Sequence, residues 1–165
     1  MGKNVNGGFA RTVLAGLAGG FAFTVSMFVT FRLIGFGWDG EGVLLQSAIQ
    51  SPKLVAVWTR LEPLPLVISN PVPIFFVLVL FCIGRAFVFR SLARSWPPGV
   101  LARAGRYGGL TFFLTYAFWE LFTPINQFGE PLPLVALELL FWAVIAFSEA
   151  LAIALVLRPE TRTRA

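Results

Sequence analysis

The chain has 165 residues, of which 57% are hydrophobic and 13% charged, with a net charge of +5 and a mean hydropathy of +0.79. A soluble domain carries about 25% charged residues, so an ordinary water-soluble domain is excluded: one core of this size cannot hide so much apolar surface. The basic balance does not indicate nucleic acid, because Lys and Arg stand at the ends of apolar runs, as they do at the cytoplasmic ends of membrane helices.

There is no histidine and one cysteine, Cys82. His-ligated haem, histidine proton relays and an intrachain disulfide are therefore excluded, and a zinc or iron site is disfavoured. No cofactor and no metal site is indicated. Phosphate-binding, dinucleotide, metalloprotease and Cys-pair motifs are absent as well.

A membrane-spanning helix needs about 20 mostly apolar residues. The first such run is 13–36. Lys3 and Arg11 precede it as in a signal peptide, but the run is long and lacks a small-residue cleavage site before Arg32, so it reads as an uncleaved first span. Gly16 and Gly20 form a G-x-x-x-G pattern with Gly19 beside them, a packing site for another span or for a second copy of the chain.

The outer segment, 37–70, follows. Ser51-Pro52 is a helix-start signal, and Leu54, Trp58 and Leu61 recur at helical spacing. They predict a short interfacial helix that anchors at the membrane surface or caps the spans. The second span, 72–89, carries Cys82 and Arg85. An Arg-rich cytoplasmic loop, 90–107, leads to a short third span, 108–122, that contains Trp119 and Glu120 and is ended by Pro124. The fourth span, 132–157, carries Glu138 and Glu149 and is followed by Arg158, Arg162 and Arg164.

With four spans, every Arg-rich segment falls on one side. The positive-inside rule then places both termini in the cytoplasm of a multi-pass cell-membrane protein. Size and composition suit a bacterial inner membrane. The hexapeptide Glu-Pro-Leu-Pro-Leu-Val occurs at 62–67 and again at 130–135, each time just before an inward-going span. Gly19-Gly20-Phe21 aligns more weakly with Gly108-Gly109-Leu110. The fold class predicted is an all-α integral membrane four-helix bundle, built as a tandem duplication of a two-span hairpin.

Charged residues within spans need a partner or a watery cavity. Counting about 1.5 Å per residue puts Arg32, Glu120 and Glu138 within roughly 10 Å of the outer interface, where they form a candidate polar cluster with Trp119. Arg85 and Glu149 form a candidate pair in the inner half. Glu138 and Glu149 share one face of the fourth span, about 20° from alignment.

The sequence points first to a non-enzymatic accessory or structural and interaction subunit, in contact with the lipid bilayer and with other membrane subunits or further copies of itself. A small oligomeric transporter or channel that uses Glu138 and Glu149 for protons or a cation is the alternative. A membrane-embedded lipid-modifying enzyme comes third.

Overall fold

The computed structural model describes residues 5–158; Lys3, Arg162 and Arg164 lie outside the described residues. All described elements are helical. Helix α1, Val5–Met27, runs without a break into a π-helical stretch, Phe28–Gly35, which closes with the Phe36 amide donating to the Phe31 carbonyl at 2.7 Å. The chain then reverses at Gly37, whose φ of +74° suits glycine. Gly37 and Gly42 approach so closely that a Cβ on either would overlap the other's backbone.

Three short helices fill the outer segment: α2, Val43–Gln46; α3, Pro52–Thr59; and α4, Leu66–Ser69. Helix α3 begins at the Ser51-Pro52 signal. The Ser51 hydroxyl does not cap it, however, and instead donates to the Phe128 carbonyl at 2.5 Å. Leu54 is buried, and Trp58 packs on Phe36 with ring centroids 5.0 Å apart, so this helix is packed onto the longer ones.

Helix α5 is Val72–Leu92 and α6 is Val100–Thr111. A π-helical stretch, Phe112–Ala117, leads from α6 to the single turn α7, Phe118–Glu120, and a further π-helical stretch, Leu121–Phe128, follows. Helix α8 is Leu132–Val156. Helices α5 and α6 both reach into 90–107, because arginine is a good helix former and a helix does not end where its apolar stretch ends.

Pro124 does not end the run from α6. The helix continues through it to Phe128 and stops at Gly129, in the left-handed region at φ +63°. In an α-helix the proline ring would crowd the carbonyl four residues back; the wider π turn relieves that crowding.

Among the described residues, three helices are long and apolar enough to cross a membrane: Gly8–Gly35, Val72–Leu92 and Leu132–Val156. Their length and composition are those of a membrane protein. The run from α6 to Phe128 is not among them, since Thr111, Thr115, Glu120 and Pro124 dilute its apolar stretch. Helix α1 packs against α5 and α8, and α6 packs on the other flank of α8.

Small residues set these approaches. A Cβ at Gly16 would fall on the Ile83 backbone of α5, and one at Gly108 would strike the Phe147 ring of α8. Gly16 and Gly20 both meet α5, so the G-x-x-x-G contact is made within the chain. The core along these seams is built from Ala15, Ala86, Phe89, Tyr107, Ala150 and Ile153 at one end, and from Phe23, Cys82, Tyr116, Ile145 and Ala146 in the middle. Outward positions stay apolar: Phe21, Phe76, Val77, Phe113 and Leu114 are all largely exposed, as suits side chains that face acyl chains.

The two hexapeptides have different settings. The copy at 130–135 passes directly into α8, with Pro131 at the helix start. The copy at 62–67 yields only the one-turn α4, which breaks at Asn70 before α5 begins.

Candidate functional site

Helix α8 carries two carboxylates on one face, and each is the centre of a polar network. The inner network is built on Glu149, which is 0% exposed. Arg85 of α5 meets it, with Nη1 to Oε2 at 2.8 Å. The same Nη1 donates to the Tyr116 hydroxyl at 2.9 Å, and the Tyr107 hydroxyl donates to the Arg85 carbonyl at 2.7 Å. The guanidinium carbon also lies 5.3 Å from the Phe81 ring centroid and 5.8 Å from that of Tyr116. Such ring faces attract a cation.

The Cys82 thiol lies beside the Glu149 carboxylate. From α1, Gly19 closes over Glu149 and Ile153, where a Cβ would crowd both. The ion pair is therefore sealed by four elements: α1, α5, α8 and the run from α6.

The outer network gathers three buried carboxyls. Glu120, Glu130 and Glu138 are 1%, 4% and 7% exposed. Glu138 stands between the other two and makes carboxyl–carboxyl contacts with both. Trp142, one turn along α8, donates its indole N–H to Glu120 Oε1 at 2.5 Å. Gln50 donates to Glu130 Oε1 at 2.6 Å and to the Leu44 carbonyl at 2.8 Å, tying the outer segment to the cluster.

The second oxygens of Glu120 and Glu130 have no N–H or hydroxyl donor. Among the described residues the Arg85–Glu149 contact is the one ion pair shown, and no cation sits beside the three carboxyls. Glu130 precedes α8, and burial pushes its carboxyl above the usual range; the hydrogen bonds from Gln50 and Glu138 oppose this. No three of these side chains among the described residues are set out to hold a metal ion.

No family model, curated protein or solved structure matches the chain.

Arg32 and Trp119 stand apart from this cluster. Arg32 is exposed; it donates to the Gly37 and Trp38 carbonyls at 3.1 and 3.0 Å and lies over the Trp38 ring. It sits inside the π-helical stretch 28–35, where the 3.6-residue period no longer dictates which face a residue takes. Trp119 is 53% exposed and lines an outward groove of about 520 Å³ with Trp58, Phe118 and Trp142.

The tryptophan that touches a carboxyl is instead Trp142. Its ring stacks on Tyr116, with centroids 4.5 Å apart and 6° between planes. This stacked pair touches both networks, Glu120 through the Trp142 N–H and Arg85 through the Tyr116 hydroxyl.

Gln50, Tyr107 and Tyr116 carry no sequence signal that sets them apart. Trp142 does: it lies four residues after Glu138, on the same helical face.

Proposed function

We propose that the chain is a small polytopic membrane protein without enzymatic activity, an accessory or interaction subunit whose internal charges hold its helices in register. In this reading it crosses the bilayer four times, and the run from α6 to Phe128 is the third crossing. Both termini then lie in the cytoplasm, where Arg11, Arg90, Arg94, Arg103, Arg106 and Arg158 gather, as in a bacterial inner membrane. The pairing of α1 with α5 and of α6 with α8 supports two related hairpins, in keeping with the repeated hexapeptide. Helix α3 rests at the outer interface as a cap.

The observation that carries this reading is the closure around Arg85 and Glu149. A pair with a 0% exposed carboxylate, covered by Gly19, Tyr107 and Tyr116, links helices and offers no route to a solute. The cation-free carboxyls favour a second reading, a small oligomeric transporter of protons, with Glu138 as the proton-sharing group and Trp142 and Tyr116 between it and Glu149.

Two measurements on the full chain separate these readings. In vesicles carrying a pH-sensitive dye and an imposed gradient, an accessory subunit gives no proton flux above empty vesicles. In mild detergent it migrates with a larger membrane complex. A clean monomer with nothing bound overturns the accessory reading. A proton flux that is lost in both Glu138→Gln and Glu149→Gln replaces it with the second.

A further inference from the structure

The arginine-bearing end of the molecule is concave. A cavity of about 290 Å³ opens there, lined by Arg11 of α1, Arg90 and Arg94 of α5, Arg103 of α6 and Arg158 beyond α8. Its floor and wall are apolar: Phe89, Ala93 and Leu157, with Gly8 at the edge. No described lining residue is acidic. Arginines that serve only to mark the cytoplasmic side have no reason to converge from four helices on one hollow. Like charges placed together repel, and a solvated face would let them splay.

Four of the five side chains divide into two kinds. Two of them build the walls. Arg11 donates to the Val156 and Arg158 carbonyls at 2.8 and 2.6 Å, which ties α1 to the end of α8. Arg90 donates to the Gly8 carbonyl at 2.5 Å and to the Thr12 hydroxyl at 2.9 Å, which ties α5 to α1. Two others keep donors in hand. Arg94 is exposed and has no hydrogen-bond partner among the described residues, and Arg103 commits only its Nε, to the Pro97 carbonyl at 3.2 Å.

We propose that this cavity is a binding site for the phosphate-bearing headgroup of an anionic phospholipid, held chiefly by Arg94 and Arg103. Guanidinium groups bind phosphate oxygens in bidentate fashion. Basic pockets between membrane helices at the cytoplasmic side take such headgroups. The lipid source follows from position. The cavity lies where α1, α5 and α8 leave their apolar stretches, at headgroup depth, and the wall of Phe89, Ala93 and Leu157 meets the glycerol and first methylenes of a lipid better than it meets a free ion. At about 290 Å³ the space is at the small end of ligand pockets, suited to a headgroup with its acyl chains left in the bilayer.

The test uses the full chain purified in mild detergent, with phosphatidylglycerol, phosphatidylcholine or free glycerol phosphate added. Lipid retained per protein is read by native mass spectrometry, and thermal unfolding is followed in parallel. Phosphatidylglycerol should be retained at least threefold more than phosphatidylcholine and should raise the unfolding temperature. Arg94→Gln/Arg103→Gln should abolish that preference, whereas Arg106→Gln, which removes a charge outside the cavity as Arg94→Gln removes one inside it, should keep it. Arg94→Gln alone breaks no hydrogen bond among the described residues, so its fold is safe, and it should lower retention about twofold. Equal retention in the double variant and the wild type overturns the proposal. A loss of preference as large in Arg106→Gln overturns it too, since only net charge would then matter. If free glycerol phosphate alone gives the full thermal shift, the ligand is a soluble phosphate and the lipid assignment fails.

Discussion

Replacing Arg85 with methionine removes the cation from a buried pair and leaves the carboxylate in place. Glu149 is 0% exposed and stands eight residues before Leu157, about 12 Å of helix, so its short side chain cannot reach the interface. An uncompensated carboxylate at that depth costs about 2.5 to 3.5 kcal/mol on insertion scales. Loss of the hydrogen bond to Tyr116 adds about 1 kcal/mol. Together these predict a destabilisation of about 3 to 5 kcal/mol, the range for breaking one side of a buried pair. Arg85→Met/Glu149→Met replaces both charges with apolar groups and should recover at least half of the loss, since such exchanges are often neutral. Unfolding by SDS in mixed micelles, followed by tryptophan fluorescence, measures both variants. A cost below about 1 kcal/mol for Arg85→Met, or a double variant as unstable as the single one, refutes the reasoning.

Gly16→Leu puts a side chain onto the Ile83 backbone and should cost at least 1 to 3 kcal/mol, roughly the overpacking range. Gly84→Ala, in open space on α5, should gain up to about 1 kcal/mol; the same unfolding assay reads both. Trp142→Phe keeps the stack on Tyr116 but removes the donor to Glu120. It should cost about 1 to 3 kcal/mol for the stranded oxygen, measured by thermal unfolding. Burial holds the Glu130 carboxyl above its ordinary value of 4.5. The folded state therefore keeps a proton that the unfolded state releases, and this contribution to stability is complete below that value and falls as pH rises above it. Hydrogen-exchange protection across 43–59, taken relative to the intrinsic exchange rate at each pH, should fall on raising the pH above that value, and Glu130→Gln should flatten the response.

Several of these features are legible in the sequence. Apolar length alone marks 72–89 and 132–157 as helices that suit a bilayer. The Ser51-Pro52 signal marks the start of α3, and the small residues of α1 mark a close approach. Depth counted along helices puts Arg85 level with Glu149, and the carboxylates of α8 stand on one face because eleven residues make nearly whole turns. Each of these inferences needs only local geometry.

The place of Glu130 in the outer carboxyl cluster, beside Glu120 and Glu138, was beyond such reasoning. Glu130 belongs to a repeated hexapeptide whose other copy leaves Glu62 exposed, so the same six residues have two fates. Which one is buried depends on Gln50, eighty positions away, and on the direct passage of 130–135 into α8. Arg32 stands at the depth expected for a partner to Glu120 and Glu138, yet π-helical turns at 28–35 set it on the exposed side, against Trp38.

By itself, then, the sequence determined that the chain is helical, that 72–89 and 132–157 are apolar enough for a membrane and how the charges are spaced along each helix, since these follow from period, length and rise along one helix. Only the tertiary structure decided which charges meet. That choice turns on helix rotation, and the three π-helical stretches and the close approaches at Gly16, Gly19 and Gly108 set the rotation in a way no spacing rule records.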